Sequence, residues 1–453
     1  GWNMLLIAAA NGSARAVAEL KAHNVDLEET TATGVSALML AAAYNRVPMI
    51  EALADAEVYI DRVSHDGRTA VMFAAEAGHA AAIEALAGRG ANLDLVNDAG
   101  ASALMLAAQR GHVEAIEMLI ARGAARELPD AQGWTALMLA AILGRAPAVR
   151  ALAERGANVD HADASGMTAL MMAAQDGNLA VVQALLENGA NVELADHARH
   201  VTALMWAAGS GHADVVQALL ANGADIGRSD DNGWSALLHA ANAKDAAVVA
   251  ALVNAGADLR HADPAGWDAV MVAASSGSHA AIEALAAAGA DLNRTNSAGE
   301  TALMIAATHN SDDAVHMLVS QGAAIDQRDP QGRTALIIAA SQSHVEAAEA
   351  LLAAGSDVRI ADNEGLTALM HAAMSSDTDL AGALIARGAD IEHADRLGWT
   401  ALIVAARDGD ADMLETLAGK GAQLDRTDGD GRTALLHAVQ EGRTEAADLL
   451  LRL

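Results

Sequence analysis

Apolar and polar positions recur along this chain in a unit of about 33 residues, copied from the first residue to the last. Each copy opens with a polar stretch ending in Asp-x-x-Gly. A hydroxyl residue and an apolar run follow, as in Gly133-Trp134-Thr135-Ala136-Leu137-Met138-Leu139-Ala140-Ala141. The run lacks the alternation of a strand, and its Ala, Leu and Met are strong helix formers. The Thr or Ser before it is placed to cap a helix whose first turn would otherwise leave N–H groups unpaired. Next comes a turn, often Gly-His (Gly78-His79, Gly111-His112, Gly211-His212), and a second apolar-periodic helix such as 113–122, with Ala115, Met118 and Leu119 on one face. It closes at Gly-Ala, as in Gly123-Ala124 and Gly189-Ala190, where the chain needs a left-handed residue. Each unit is thus a turn plus two short antiparallel helices.

The copies align on Gly34, Gly67, Gly100, Gly133, Gly166, Gly233, Gly266, Gly299, Gly332, Gly365, Gly398 and Gly431, with His200 in the seventh slot after a one-residue slip. A fixed period in this range marks a repeat solenoid, in which each unit buries its apolar face only against its neighbours. The expected fold is therefore all-α: about fourteen helix-turn-helix units in one continuous array over 1–453, the first and last incomplete. Paired alanines (Ala41-Ala42, Ala107-Ala108, Ala273-Ala274) let first helices approach closely, so the stack bends toward that side. Helix spacings of roughly 8–10 Å predict a curved elongated rod about 110–140 Å along its arc. Gly1 occupies the repeat's glycine position, Leu453 stops one residue short of the next, and neither end looks like a polar cap. A portion of a longer protein is expected, and the N-terminus gives no localisation.

The unit resembles the ankyrin repeat. That family's pattern D-x-x-G-x-T-P-L-H-x-A-A…G-A is matched by Asp163-Ala164-Ser165-Gly166-Met167-Thr168-Ala169-Leu170-Met171-Met172-Ala173-Ala174 and by its equivalents throughout. Two departures are systematic: the family's Pro is replaced, mostly by Ala, and its His is mostly Met (Met39, Met72, Met105, Met138, Met171, Met205, Met271, Met304, Met370). The resemblance implies short β-hairpin fingers built from the Asp-x-x-Gly segments and a concave groove lined by the first helices. It also implies that the His would hydrogen-bond between repeats, so a Met column makes the coupling here more apolar.

Charge changes the functional picture more than length does. Twenty-eight basic residues stand against 59 acidic ones, a net charge of −31, which makes nucleic acid a poor partner. Solvated carboxylates and cationic partners are both compatible with it. Cysteine is absent, which excludes disulfides and thiol chemistry. No apolar run reaches membrane-spanning length.

Candidate chemistry is sparse. There is no Gly-rich phosphate loop, paired-histidine metal motif or Gly-x-Ser-x-Gly elbow, so neither catalysis nor a cofactor is expected. His161, His261 and His393 recur in His-Ala-Asp, but in non-adjacent copies, and are expected to be structural groups of the fingers. Asp428-Gly429-Asp430-Gly431 resembles part of a calcium loop, but Arg426 holds the first ligand position. The seventh finger carries an extra residue with His197, Arg199 and His200; it is either a contact point or a tolerated insertion.

Six of the nine aromatic residues are Trp. Trp2, Trp134, Trp234, Trp267 and Trp399 share the slot after the repeat glycine, which the resemblance places on the groove. Such indoles either bind a partner or pack flat on the next finger and stiffen it. Trp134 is favoured for binding because Ile142, Leu143 and Met167 are expected beside it, where most copies are polar. Asp176 and Asp231 supply acidic positions nearby. Trp206 and the Met column read as core. The function expected is a non-enzymatic scaffold that binds a protein or peptide, cationic or amphipathic, through groove and finger tips. The alternative is an apolar or cationic small molecule in the Trp-lined groove.

Overall fold

Helices begin where the hydroxyl residues stand. Thr135 accepts the Met138 N–H at 3.4 Å, Thr168 that of Met171 at 3.3 Å and Ser36 that of Met39 at 3.3 Å, so the first turn is capped as its sequence requires. First helices span seven or eight residues and second helices eight or nine, giving 28 helices in all among the described residues. The computed structural model describes residues 2–453; Gly1, the glycine position of the first repeat, lies outside them. The chain divides into two compact units, Gly1–Asp231 and Asn232–Leu453, each holding seven helix pairs. Within each unit, first helices pack on first helices and second on second.

The core follows the repeat columns. All nine methionines of the Met column are at most 2 % exposed, and the paired alanines are sealed between first helices. Met39 and Met105 add a weak polar contact, their sulfurs lying 3.4 Å from the N–H of Ser36 and Ser102.

Polar links between repeats persist through other columns. His79, His112 and His212 reach back to the carbonyls of Ala43, Glu76 and Gln175 at 3.0–3.1 Å, closing helix ends that would otherwise carry free carbonyls. His161, His261 and His393 each meet the glycine carbonyl of the preceding finger (Gly133, Gly233, Gly365) at 2.8–3.2 Å. That is the structural role the His-Ala-Asp recurrence suggested. A third column uses carboxylates: Asp61, Asp94, Glu127 and Asp160 accept the backbone N–H of Asn92, Ala125, Asn158 and Asn191 at 2.8–2.9 Å. The Met column is as apolar as expected, but the coupling as a whole is not.

The fingers are hairpins reduced to a single antiparallel bridge, as at Ala162↔Thr168 and Thr427↔Thr433. The Asp of Asp-x-x-Gly closes the loop on itself. Asp163 Oδ1 accepts the Ser165 and Met167 N–H at 2.8 and 3.0 Å, while its own N–H donates to the Met167 carbonyl at 3.0 Å. In this finger the corner has room only for glycine. Gly166 has φ +82°, and a Cβ there would lie 2.6 Å from the His197 nitrogen of the next finger.

Candidate functional site

The slot after each repeat glycine is fixed by the finger itself. Trp134 N donates to Asp130 Oδ1 at 2.8 Å, Trp267 N to Asp263 at 2.9 Å and Trp399 N to Asp395 at 2.8 Å. Each of these indoles, like that of Trp234, is half-buried, whereas Trp2 is 52 % exposed. Trp134 Nε1 donates to Asp163 Oδ2 of the next finger at 3.1 Å. Trp399 stands edge-on to His437 with centroids 5.1 Å apart, and the Arg407 guanidinium lies 5.0 Å from its ring centre. Trp234 stands edge-on to His239 at 5.4 Å. The Trp134, Trp234 and Trp399 indoles therefore have partners within the chain.

Asp163 gathers several donors. Burial opposes its ionisation, but the Ser165 hydroxyl, the Trp134 indole and the Met167 and Ser165 N–H groups outweigh it and hold the carboxyl below its ordinary range. Asp428 is a second such centre. Burial again opposes ionisation, yet the Arg432 N–H, the His437 ring, the Asp430 N–H and the Arg432 guanidinium hold its carboxyl far below that range. The Asp-Gly-Asp-Gly run is thereby occupied with its own repeat: Asp428 binds His437 at 2.8 Å and Arg432 at 3.1 Å, and Asp430 binds Arg432 at 2.6 Å.

In the fifth repeat the first helix, Ala136–Ile142, ends on the two apolar residues singled out by the sequence. Ile142 is half-buried, and Leu143, the C-cap residue, is 48 % exposed. Thirty-three residues on, Asp176 caps the first helix of the sixth repeat, Ala169–Gln175, and is exposed. Met167 is half-buried and shares Asp163 with Trp134 through its N–H. Trp134, Asp163 and Met167 thus form one connected group, and Leu143 and Asp176 hold equivalent ends of adjacent helices.

The seventh finger accommodates its extra residue without opening. His200 takes the glycine's place in the left-handed region at φ 56°, and the bridge widens to Ala195↔Thr202. His200 Nδ1 lies 2.9 Å from both carboxylate oxygens of Asp231, whose N–H donates to the Arg199 carbonyl at 2.9 Å. His197 donates its N–H to Ser165 O at 2.8 Å. Three of the predicted residues, Arg199, His200 and Asp231, are brought together here, and all are exposed. Trp206 is half-buried rather than sealed, its indole nitrogen shielded and without a hydrogen-bond partner.

The sequence passed over Arg110, Phe73 and Glu76. Glu76 is clasped by Arg68 at 2.9 Å and Arg110 at 2.8 Å, and Arg68 stacks 4.5 Å from the Phe73 ring centre. Arg110 falls in the same column as Leu143 and Asp176, so tabulating that column would have exposed it. Among the described residues no group of three or more His, Cys, Asp or Glu could hold a metal ion. Among the described residues no helix is long and apolar enough to cross a membrane.

The model of the family described as ankyrin repeats (3 copies) matches in overlapping segments from residue 5 to residue 453, beginning 5–97 and 71–163 and ending 369–453. Among solved structures, the chain is similar to the human ASB11 ankyrin repeat domain, with 32% identity over 49% of this chain and 98% of that one and a TM-score of 0.43. No curated protein matches. With helix pairs, caps and fingers repeated across both compact units and a family match reaching from residue 5 to the last residue, the chain belongs to the ankyrin repeat family, whose members generally act as protein–protein interaction scaffolds.

Proposed function

We propose that the chain is a non-enzymatic scaffold that binds a protein or peptide segment in the groove of its fifth and sixth repeats. The observation that carries this is Leu143, 48 % exposed at a helix end and continuous in sequence with the half-buried Ile142. Leu143 stands in a column whose neighbours on either side, Arg110 and Asp176, are charged and exposed, so it offers a partner an apolar contact between polar ones. Trp134 and Met167 extend it toward the fingers, and Asp176 adds an acidic position suited to a cationic group. The finger tips at His197, Arg199 and His200, with Asp231, offer a second, polar contact region. The 33-residue period through both compact units supports a single continuous array. A small apolar or cationic ligand finds less support, since the ring of Trp399 already faces Arg407.

A displayed random peptide library panned on the whole chain tests this. Selected peptides should lose at least about 2 kcal/mol of affinity on Leu143→Ala, as an anchor residue would, with little change in melting temperature. Peptides that bind Leu143→Ala as tightly as the parent would remove the groove from the proposal.

A further inference from the structure

One column of the groove, read across consecutive repeats, changes character in a fixed order. Arg110 ends the first helix of the fourth repeat, Leu143 caps that of the fifth and Asp176 caps that of the sixth, and all three are exposed. The three helices pack side by side, so the column presents a cation, an apolar side chain and an anion at successive helix ends.

The cationic end is reinforced. Arg145 lies across Gly111, its Cδ 3.3 Å from where a Cβ would stand, and donates Nε to the Gln109 carbonyl at 3.2 Å. Two guanidiniums therefore flank the end of the Arg110 helix, where positive charge complements the helix dipole. The side chain of Arg110 is 60 % exposed and spends one nitrogen on Glu76, which leaves the rest of its fork available. The anionic end is the opposite case. Asp176 is the exposed C-cap residue of its helix, and among the described residues it makes no ion pair. An exposed carboxylate with no ion pair in the chain is available to a partner from outside.

We infer that the groove ligand is an extended peptide carrying both charges: an acidic side chain at Arg110 and Arg145, an apolar one at Leu143, and a basic one at Asp176. This rests on the proposed groove site and names the partner's chemistry, which the acidity of the whole chain would wrongly suggest to be cationic alone. Helices about 8–10 Å apart match about three residues of extended polyproline-II chain, which rises about 3.1 Å per residue and returns every third side chain to one face, so the side chains should be spaced i, i+3, i+6.

Three fluorescein-labelled heptapeptides test it on the full chain by polarisation at low salt. Each has Leu at position 4 and Gly or Ser between, with Glu and Lys, two Lys, or two Glu at positions 1 and 7. The mixed peptide should bind about two- to fivefold tighter than either single-sign peptide, the size expected of one exposed ion pair, and 0.5 M salt should erase the difference. Arg110→Glu should shift the preference to the Lys–Lys peptide, and Asp176→Lys to the Glu–Glu peptide. If the Lys–Lys peptide binds the parent best, or if neither variant changes the order, the charge assignment is wrong. If all three bind but are indifferent to Leu143→Ala, or none binds, the groove site itself fails, and this inference with it.

Discussion

At the scale of single residues, the tryptophans show how one position serves stability before it serves recognition. The Trp134 indole donates across the repeat boundary to Asp163, and that carboxylate also receives the Ser165 hydroxyl and two N–H groups of its own finger. Trp134→Phe keeps the ring and removes the donor, so it should cost about 0.5–1.5 kcal/mol, the net worth of one hydrogen bond, in denaturant unfolding. Because Asp163 is held below its ordinary range, its contribution is fully present above the unfolded value near 4. It is lost as pH falls through the lower folded value. The stability difference between the parent and Asp163→Asn should therefore be flat from about pH 5 to 8 and shrink on acidification below about pH 4. A difference that grew toward low pH would contradict the donor arrangement described for this finger.

At the scale of the helix pair, nearly everything was legible because the same constraint is written fourteen times. The hydroxyl cap, the Ala pair and the Met column each occupy a fixed place in the period; the cap role inferred at Thr168 fails only at Ser235, whose hydroxyl makes no cap bond, and the core role at Met171 only at the last repeat's Leu436, 41 % exposed. Two features were less legible. The hairpin fingers contract to single bridges because the Asp carboxylate satisfies the loop N–H groups that a ladder would otherwise have used, as Asp163 does. The polar coupling between repeats lay in columns of His and carboxylates whose reach spans 28 to 37 residues, and only their recurrence hints at it. The recognition surface was legible least, since exposure of Leu143 and the pairing of Trp134 depend on neighbours 30 residues away. The core prediction is quantitative. Met171 is 1 % exposed, so Met171→Ala should cost about 2–5 kcal/mol. Met171→Leu, of similar volume, should cost less than about 1.5 kcal/mol. Equal losses in chemical denaturation would mean that the sulfur rather than the volume matters.

At the scale of the molecule, stability in a repeat array is a sum of repeat terms and nearest-neighbour terms, so the regularity of the links matters more than any one of them. In the first compact unit the carboxylate ladder is unbroken from Glu28, which accepts the Tyr59 N–H, to Glu193, which accepts that of Asp225 at 2.8 Å. The second unit keeps rungs from Asp326 to Asp357 N at 3.1 Å and from Glu392 to Gln423 N at 2.8 Å. Between them stands Arg359, which has no acceptor to offer the Asp390 N–H and instead pairs with Asp357 at 2.9 Å. That pair is worth little, because the arginine side chain is 73 % exposed. Arg359→Asp should therefore restore the missing rung at small cost. The new neighbour Asp357 is no obstacle, since Asp390 and Glu392 already stand two apart on a working rung. A gain of about 0.5–1.5 kcal/mol is expected. Its location can be read directly by hydrogen exchange: the Asp390 amide should exchange faster than the Gln423 amide in the parent and approach it in the variant. If the Asp390 amide stays unprotected while stability falls, the ladder is a by-product of the loop geometry and not a coupling between repeats.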